Sequence, residues 1–337
     1  MFPISECTNE PASNGRTDGK SRDGVRFGVY FMADDKVIDQ VIAFLNSVRC
    51  HNPSVSLCLI PFSDDIAALR GLADRYSFAI FHENSWLARC DQVSAALHGS
   101  VVHHYRKLAA WYGVFDRFIY IDIDTIILGD ITFVCDLLTQ YDVITSHSDL
   151  PAATRWTWRA KAFKEPMLSE CNLGFAANTG FLASRTSAIK WEVIEQAAER
   201  ARAVRQYMSL ECKEQPFLNF VITTSGLRYV SLLVLASMFA ERGVTGLIPT
   251  EFWAGIRGAI VKEGRLYPPG IRPPVLLVHW AGQWLPTRVD RAVNWLNRTI
   301  RGHVPACPRR ALPYKELWLF YRNHEASCAS KNAMSLQ

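Results

Sequence analysis

The sequence contains no run of the roughly eighteen consecutive apolar residues that crosses a bilayer; its best candidate, residues 229–240, is long enough only for a buried helix or strand. A basic segment followed by an apolar one is also missing near Met1, which argues against a secretory leader and predicts a cytoplasmic chain. Paired cysteines are absent. The nine cysteines stand singly, at Cys7, Cys50, Cys58, Cys90, Cys135, Cys171, Cys212, Cys307 and Cys328, and their odd number without a CxxC pair suits reduced thiols better than a disulfide or zinc framework. Charge of one sign is scarce too. A formal +5 over 337 residues falls far short of a nucleic-acid footprint, while remaining compatible with small anions such as nucleotides. No internal repeat is present, and no linker follows residue 24.

With 49% hydrophobic and 20% charged residues, the chain has enough apolar material for one large core. Residues 1–24, rich in Asn, Ser, Gly and charge without an apolar face, are expected to be a disordered tail. From residue 25, short apolar runs alternate with helix-period segments. Strands are predicted over 25–31, 55–60 and 78–81, and helices over 36–48 and 65–76, the second capped by Asp64 or Asp65. After an irregular stretch, Val101, Tyr105, Leu108, Tyr112 and Phe115 recur at helical spacing and lead into an unbroken apolar run, Phe118-Ile119-Tyr120-Ile121, of the kind found in central parallel strands. Further strands are expected over 141–145, 180–184 and 275–279, a long helix over 187–208, and short helices in the Trp- and Arg-rich region 283–321. Alternation of this kind predicts an α/β fold with an open, mostly parallel twisted sheet, helices on both faces, and ligands at the carboxyl ends of the strands.

Asp122 and Asp124 stand at the end of the otherwise apolar 118–121 strand, where an unpaired carboxylate carries a large desolvation cost. If the chain turns at Ile123, both carboxylates can converge on one hard cation, Mn²⁺ or Mg²⁺, beside diphosphate oxygens. Two alternatives stand beside this reading. Acidic residues at strand ends also cap helices or solvate loops. Asp122-Ile123-Asp124-Thr125 also matches the DxDxT of phosphatases, with Asp122 as nucleophile and Asp124 as acid, although that chemistry needs a downstream acidic cluster and Asp130, Asp136, Asp142, Asp149 and Asp290 are isolated.

Five segments in order resemble family 8 glycosyltransferases, the GT-A-fold group that includes glycogenin and bacterial galactosyltransferases of lipopolysaccharide synthesis. Lys107-Leu108-Ala109-Ala110-Trp111 and Phe118–Thr125 resemble a KLxxW helix and a strand ending in DxD; Asn178-Thr179-Gly180 resembles an N-[AST]-G turn. Glu214-Gln215-Pro216-Phe217-Leu218-Asn219 resembles DQxxLN, and His279-Trp280-Ala281-Gly282 with Pro286 resembles HFxGxxKP. The resemblance spans about residues 25–290, the expected GT-A domain, with 291–337 as a helical extension packed on it.

This likeness implies a hexosyltransferase that uses a UDP-sugar donor and Mn²⁺ or Mg²⁺, retains anomeric configuration, and acts on a sugar, lipid or small-molecule acceptor. It implies Asp122, Asp124 and His279 as metal ligands, with Asp122 also reaching the ribose or a metal-bound water. Lys107, Gly180 and Gly282 would lie against the donor. Asn178 would hydrogen-bond sugar hydroxyls, and Gln215, with Glu214 beside it, would face the reacting carbon. Two departures stand out: Leu285 replaces the phosphate-binding lysine of HFxGxxKP, with Arg288 as a substitute cation, and Pro216 follows Gln215. The loss of that lysine keeps open a catalytically silent nucleotide-sugar binder. The basic, aromatic segment 155–161 is read as a loop that stacks on sugars or grips phosphates, or else as a buried tryptophan pair with solvated cations.

Overall fold

Alternating apolar side chains on the central strands bury both faces of one sheet. In the computed structural model, residues 24–147, 156–164, 168–241, 250–270, 274–283 and 312–324 are described. The tail, Leu285, Pro286, Arg288 and most of region 283–321 lie outside them. The main strands are β1 (Phe27–Ala33), β2 (Ser56–Pro61), β3 (Phe78–Ile80) and β4 (Arg117–Ile121). A short strand outside the main sheet, β5 (Thr125–Ile127), follows; β6 (Val143–Thr145), β7 (Phe181–Arg185) and β8 (Tyr229–Ser231) complete the main sheet.

The seven-stranded order is β3-β2-β1-β4-β7-β6-β8. All neighbours run parallel except at β7, which is antiparallel to both β4 and β6. The expected open, mostly parallel sheet is therefore present, with one reversed strand that a sequence pattern cannot orient.

Along β4 the side chains alternate: Phe118 and Tyr120 join one core, Ile119 and Ile121 the other. Helices Asn84–His98, Trp191–Val204 and Gln215–Thr224 cover the first face. Helices Ile38–His51, Ala67–Tyr76 and Leu232–Glu241 cover the second. No described helix is long and apolar enough to cross a membrane; residues 229–240 divide into β8 and all but the last residue of helix Leu232–Glu241.

Several local expectations change. The irregular stretch after β3 is the helix Asn84–His98, which buries Leu87, Cys90, Val93, Ser94 and Leu97. The segment from Val101 is not α-helical: His103–Tyr112 is 3₁₀, and Tyr105, Leu108 and Trp111 bury at its period of three while Val101 is exposed. Neither Asp64 nor Asp65 caps the helix at Ala67. Asp35, just past β1, does so instead, accepting from Ala68 N at 2.8 Å and Leu69 N at 2.9 Å. The long helix shortens to Trp191–Val204 between single 3₁₀ turns.

A second, three-stranded sheet was not foreseen. It has the order β5-β12-β9, where β9 is Glu251–Trp253 and β12 is Leu277–His279, and β12 runs antiparallel to β5 and parallel to β9. Ser47 Oγ accepts from Ile127 N at 3.0 Å and so ties β5 to helix Ile38–His51. Helix Lys315–Asn323 covers this sheet from outside; Asn46 Nδ2 donates to Tyr321 O at 2.8 Å, and Trp280 Nε1 donates to Pro313 O at 2.7 Å. A hairpin of β10 (Ile260–Lys262) and β11 (Arg265–Tyr267) lies between β9 and β12 in sequence.

Candidate metal and active site

At the carboxyl end of β4, Asp122 N still donates to Gly180 O at 2.8 Å, Ile123 turns, and β5 begins at Thr125. The antiparallel register pairs His279 with Thr125, and Trp280 N donates to Asp124 O at 2.9 Å. Register thus sets the imidazole beside a carboxylate that lies 155 positions earlier, since 279 − 124 = 155. Ligand atoms of Asp122, Asp124 and His279 lie within 4.8 Å of one another, and His279 Nε2 is 3.1 Å from Asp124 Oδ1. The two carboxylates keep 33% and 23% of their side-chain surface open, whereas the imidazole keeps 3% and forms the floor.

Gly180 makes this convergence possible. A Cβ there would lie 2.3 Å from His279 Cε1 and 2.9 Å from Asp122 Oδ2, closer than real contacts allow. The donor set of two carboxylates and one imidazole, gathered over a bare backbone, fits a divalent cation; the nitrogen ligand suits Mn²⁺ better than Mg²⁺, which prefers oxygen.

Lys107, carried on the 3₁₀ segment, reaches the same strand end. Its buried ammonium is 2.5 Å from Glu214 Oε1, 3.5 Å from Asp122 Oδ1 and 3.2 Å from Thr179 O, and lies 4.6 Å from the centre of the Tyr120 ring. Burial alone would lower its pKa, yet Asp122 and Glu214 raise it, so the group stays charged. Tyr120 OH donates to Asp122 Oδ1 at 2.9 Å. Burial opposes ionisation of Asp122, but Lys107 and His279 hold its pKa below the ordinary value. Lys107 and Tyr120 both engage Oδ1, while Oδ2 is the oxygen that faces Gly180.

Solved glycosyltransferases are similar in structure to this chain. GlyE of Streptococcus pneumoniae TIGR4 is 15% identical over 90% of this chain and 62% of its own, with a TM-score of 0.47. The chain therefore spans under two thirds of GlyE's length. The galactosyltransferase LgtC, solved with donor and acceptor sugar analogs, is 14% identical over 88% of this chain and 95% of its own, with a TM-score of 0.49. Mouse xyloside xylosyltransferase 1 is 11% identical over 61% and 84%, with a TM-score of 0.46. No family model matches the chain, and no curated protein sequence does.

The remaining expected residues divide into those at the cluster and those beside it. Asn178 is at it: Nδ2 lies 3.2 Å from His279 Nδ1, and Oδ1 accepts from Gly180 N at 2.8 Å. Glu214 is buried, bound by Lys107 and by Thr179 Oγ1 at 3.1 Å, at the start of helix Gln215–Thr224. Gln215 is partly open, with Nε2 3.4 Å from Trp156 O. Asn219 is a tie, exchanging two hydrogen bonds with the backbone of Ala177 just before Asn178. Gly282 sits in an exposed turn with φ +71°, three residues past His279, and a Cβ there would meet nothing within 4 Å.

The segment 155–161 is split where described: Trp158 is fully buried, Trp156 is 45% exposed, and Arg159 pairs with Glu211 on the surface. Sequence reasoning missed Glu251, whose side chain is completely buried against His279. Its only local signal is a carboxylate opening a short apolar strand, and an extended acidic residue of that kind ordinarily faces solvent.

Proposed function

We propose that this protein is a metal-dependent glycosyltransferase that moves a hexose from a UDP-sugar to an acceptor, with retention of anomeric configuration. The observation that carries this reading is the convergence of Asp122, Asp124 and His279 on one open point at the end of β4, with Lys107 and Asn178 alongside. Mn²⁺ held by Asp122 Oδ2, Asp124 and His279 Nε2 would supply positive charge against the donor diphosphate.

The chain's own residues do the rest. Lys107 shares its charge between Asp122 and Glu214, and so offsets the burial that would otherwise disfavour an ionised Asp122. Asn178, with its Oδ1 fixed by Gly180 N, would offer its amide to sugar hydroxyls. Gln215, partly open at a helix start, would face the sugar carbon that acquires positive character as UDP leaves, and Glu214 behind it adds a negative charge to that field.

The phosphatase reading asks for a downstream acidic cluster beside Asp122 and Asp124, and the third ligand there is an imidazole. Titration with UDP-hexoses in the presence of Mn²⁺ should give binding that Asp124→Ala removes; UDP-sugar binding that is absent, or indifferent to Mn²⁺ and to Asp124→Ala, sinks the proposal. A screen for released UDP across donors then separates a transferase from a silent binder.

A further inference from the structure

Three chain segments bring polar groups to one buried carboxylate behind the cluster. Glu251 opens β9 with its side chain fully buried, an arrangement that costs several kcal/mol for an ion left unpaired. It is not unpaired. His279 Nδ1 lies 2.9 Å from Oε1, Asn178 Nδ2 donates to the same oxygen at 3.0 Å, and His147 Nε2 lies 3.5 Å from it. Ser146 Oγ donates to Oε2. Burial alone would raise the pKa of this carboxyl, but His147 and His279 hold it well below the carboxylate range.

The Glu251 side chain itself is closed to solvent, and no metal or substrate need touch it. Its partners decide what it does. An imidazole that offers Nε2 to a metal must carry its proton on Nδ1, and a carboxylate acceptor at Nδ1 both selects that tautomer and fixes the ring plane. His279 is flanked in this way, with Nε2 toward Asp124 and Nδ1 toward Glu251. The same Oε1 also holds the Asn178 amide, whose Oδ1 in turn receives Gly180 N. One carboxylate therefore sets the ring that would bind the cation and the amide that would meet the sugar.

We propose that Glu251 is a positioning residue that presents His279 Nε2 to a divalent cation and couples that cation's seat to Asn178. The inference rests on the metal reading given above. Mn²⁺ alone is the probe, with free Mn²⁺ followed by electron paramagnetic resonance at constant pH on the full chain, and the unfolding midpoint of each metal-free variant measured in parallel. Glu251→Gln, which keeps the shape and one acceptor, should weaken Mn²⁺ binding about 10- to 100-fold in a chain that stays folded. Ser146→Ala, which frees only Oε2, should weaken it several-fold less, and it carries the test alone if Glu251→Gln does not fold. A Glu251→Gln chain that melts earlier yet binds Mn²⁺ as the native chain does would mean that the residue is merely structural, and would overturn the proposal. So would unchanged affinity in a folded Ser146→Ala chain when Glu251→Gln is unfolded. A native chain that binds no Mn²⁺ is a different failure, because it removes the metal reading itself.

Discussion

At the scale of single residues, the cluster depends on a side chain that is missing. Gly180 lets Asp122 and His279 approach across bare backbone, and a methyl group there would overlap both. Gly180→Ala should therefore push the imidazole or the carboxylate aside, lowering Mn²⁺ affinity by about ten-fold or more and unfolding free energy by about 1–3 kcal/mol, the usual cost of overpacking. Calorimetric Mn²⁺ titration and urea denaturation measure the two; unchanged values for both would mean that the site relaxes without strain. The N-[AST]-G pattern made Gly180 visible in the sequence. Glu251 was invisible because its importance comes only from what packs on it, and nothing in Glu251-Phe252-Trp253 distinguishes a buried acid from a solvated one.

At the scale of elements, two carboxylates hold the ends of elements that are distant in sequence. Asp35 caps a helix 32 residues further on, since 67 − 35 = 32, by accepting two of its first free N–H groups. Asp35→Ala should cost about 1 kcal/mol and Asp64→Ala less than about 0.5 kcal/mol in chemical denaturation; equal effects would contradict this assignment of the cap. Asp142 staples the far edge of the main sheet. It accepts from Arg228 N at 2.9 Å, from Arg228 Nε and Nη2 at 3.2 Å, and from Arg185 Nη2, so that it joins the starts of β6 and β8 to the end of β7. Arg228 and Arg185 lower its pKa to about 2 against burial. A depressed folded pKa stabilises the fold above the ordinary carboxylate value, and that contribution fades as pH falls from about 4 toward 2. Asp142→Asn should lose it at neutral pH and flatten the stability profile across that window, as followed by thermal melts at graded pH. A mutant profile parallel to the native one would place the acid sensitivity elsewhere.

At the scale of the whole molecule, the cluster joins the end of β4 to β12 of the second sheet, and the metal reading makes that junction a stabilising link. A ligand that binds only the folded chain adds about 2.7 kcal/mol at one hundred times its dissociation constant. Saturating Mn²⁺ should therefore raise the unfolding temperature of the native chain, a chelator should reverse the rise, and Asp124→Ala should abolish it. An equal rise in the native chain and in Asp124→Ala, seen by scanning calorimetry, would place the metal at some other site.

Much of the main sheet could be read from the chain alone, because a central parallel strand is buried on both faces and is therefore apolar along its length. Val29 to Ala33, Leu57 to Pro61 and Phe118 to Ile121 all carry that mark. The end of β4 was legible for the converse reason, since two carboxylates at the end of such a strand need a positive partner, hydrogen-bond donors or solvent. What a local pattern could not supply was pairing. The reversal of β7, the pairing of β5, β9 and β12 into a second sheet, and the 3₁₀ geometry of His103–Tyr112 all follow from contacts between distant segments. Composition and periodicity determined which segments are strands and where charge is stranded among them. Only the register of β12 against β5 and β9 decided that His279 lies between Asp124 and Glu251, because a shift of one residue would turn its ring to the opposite face.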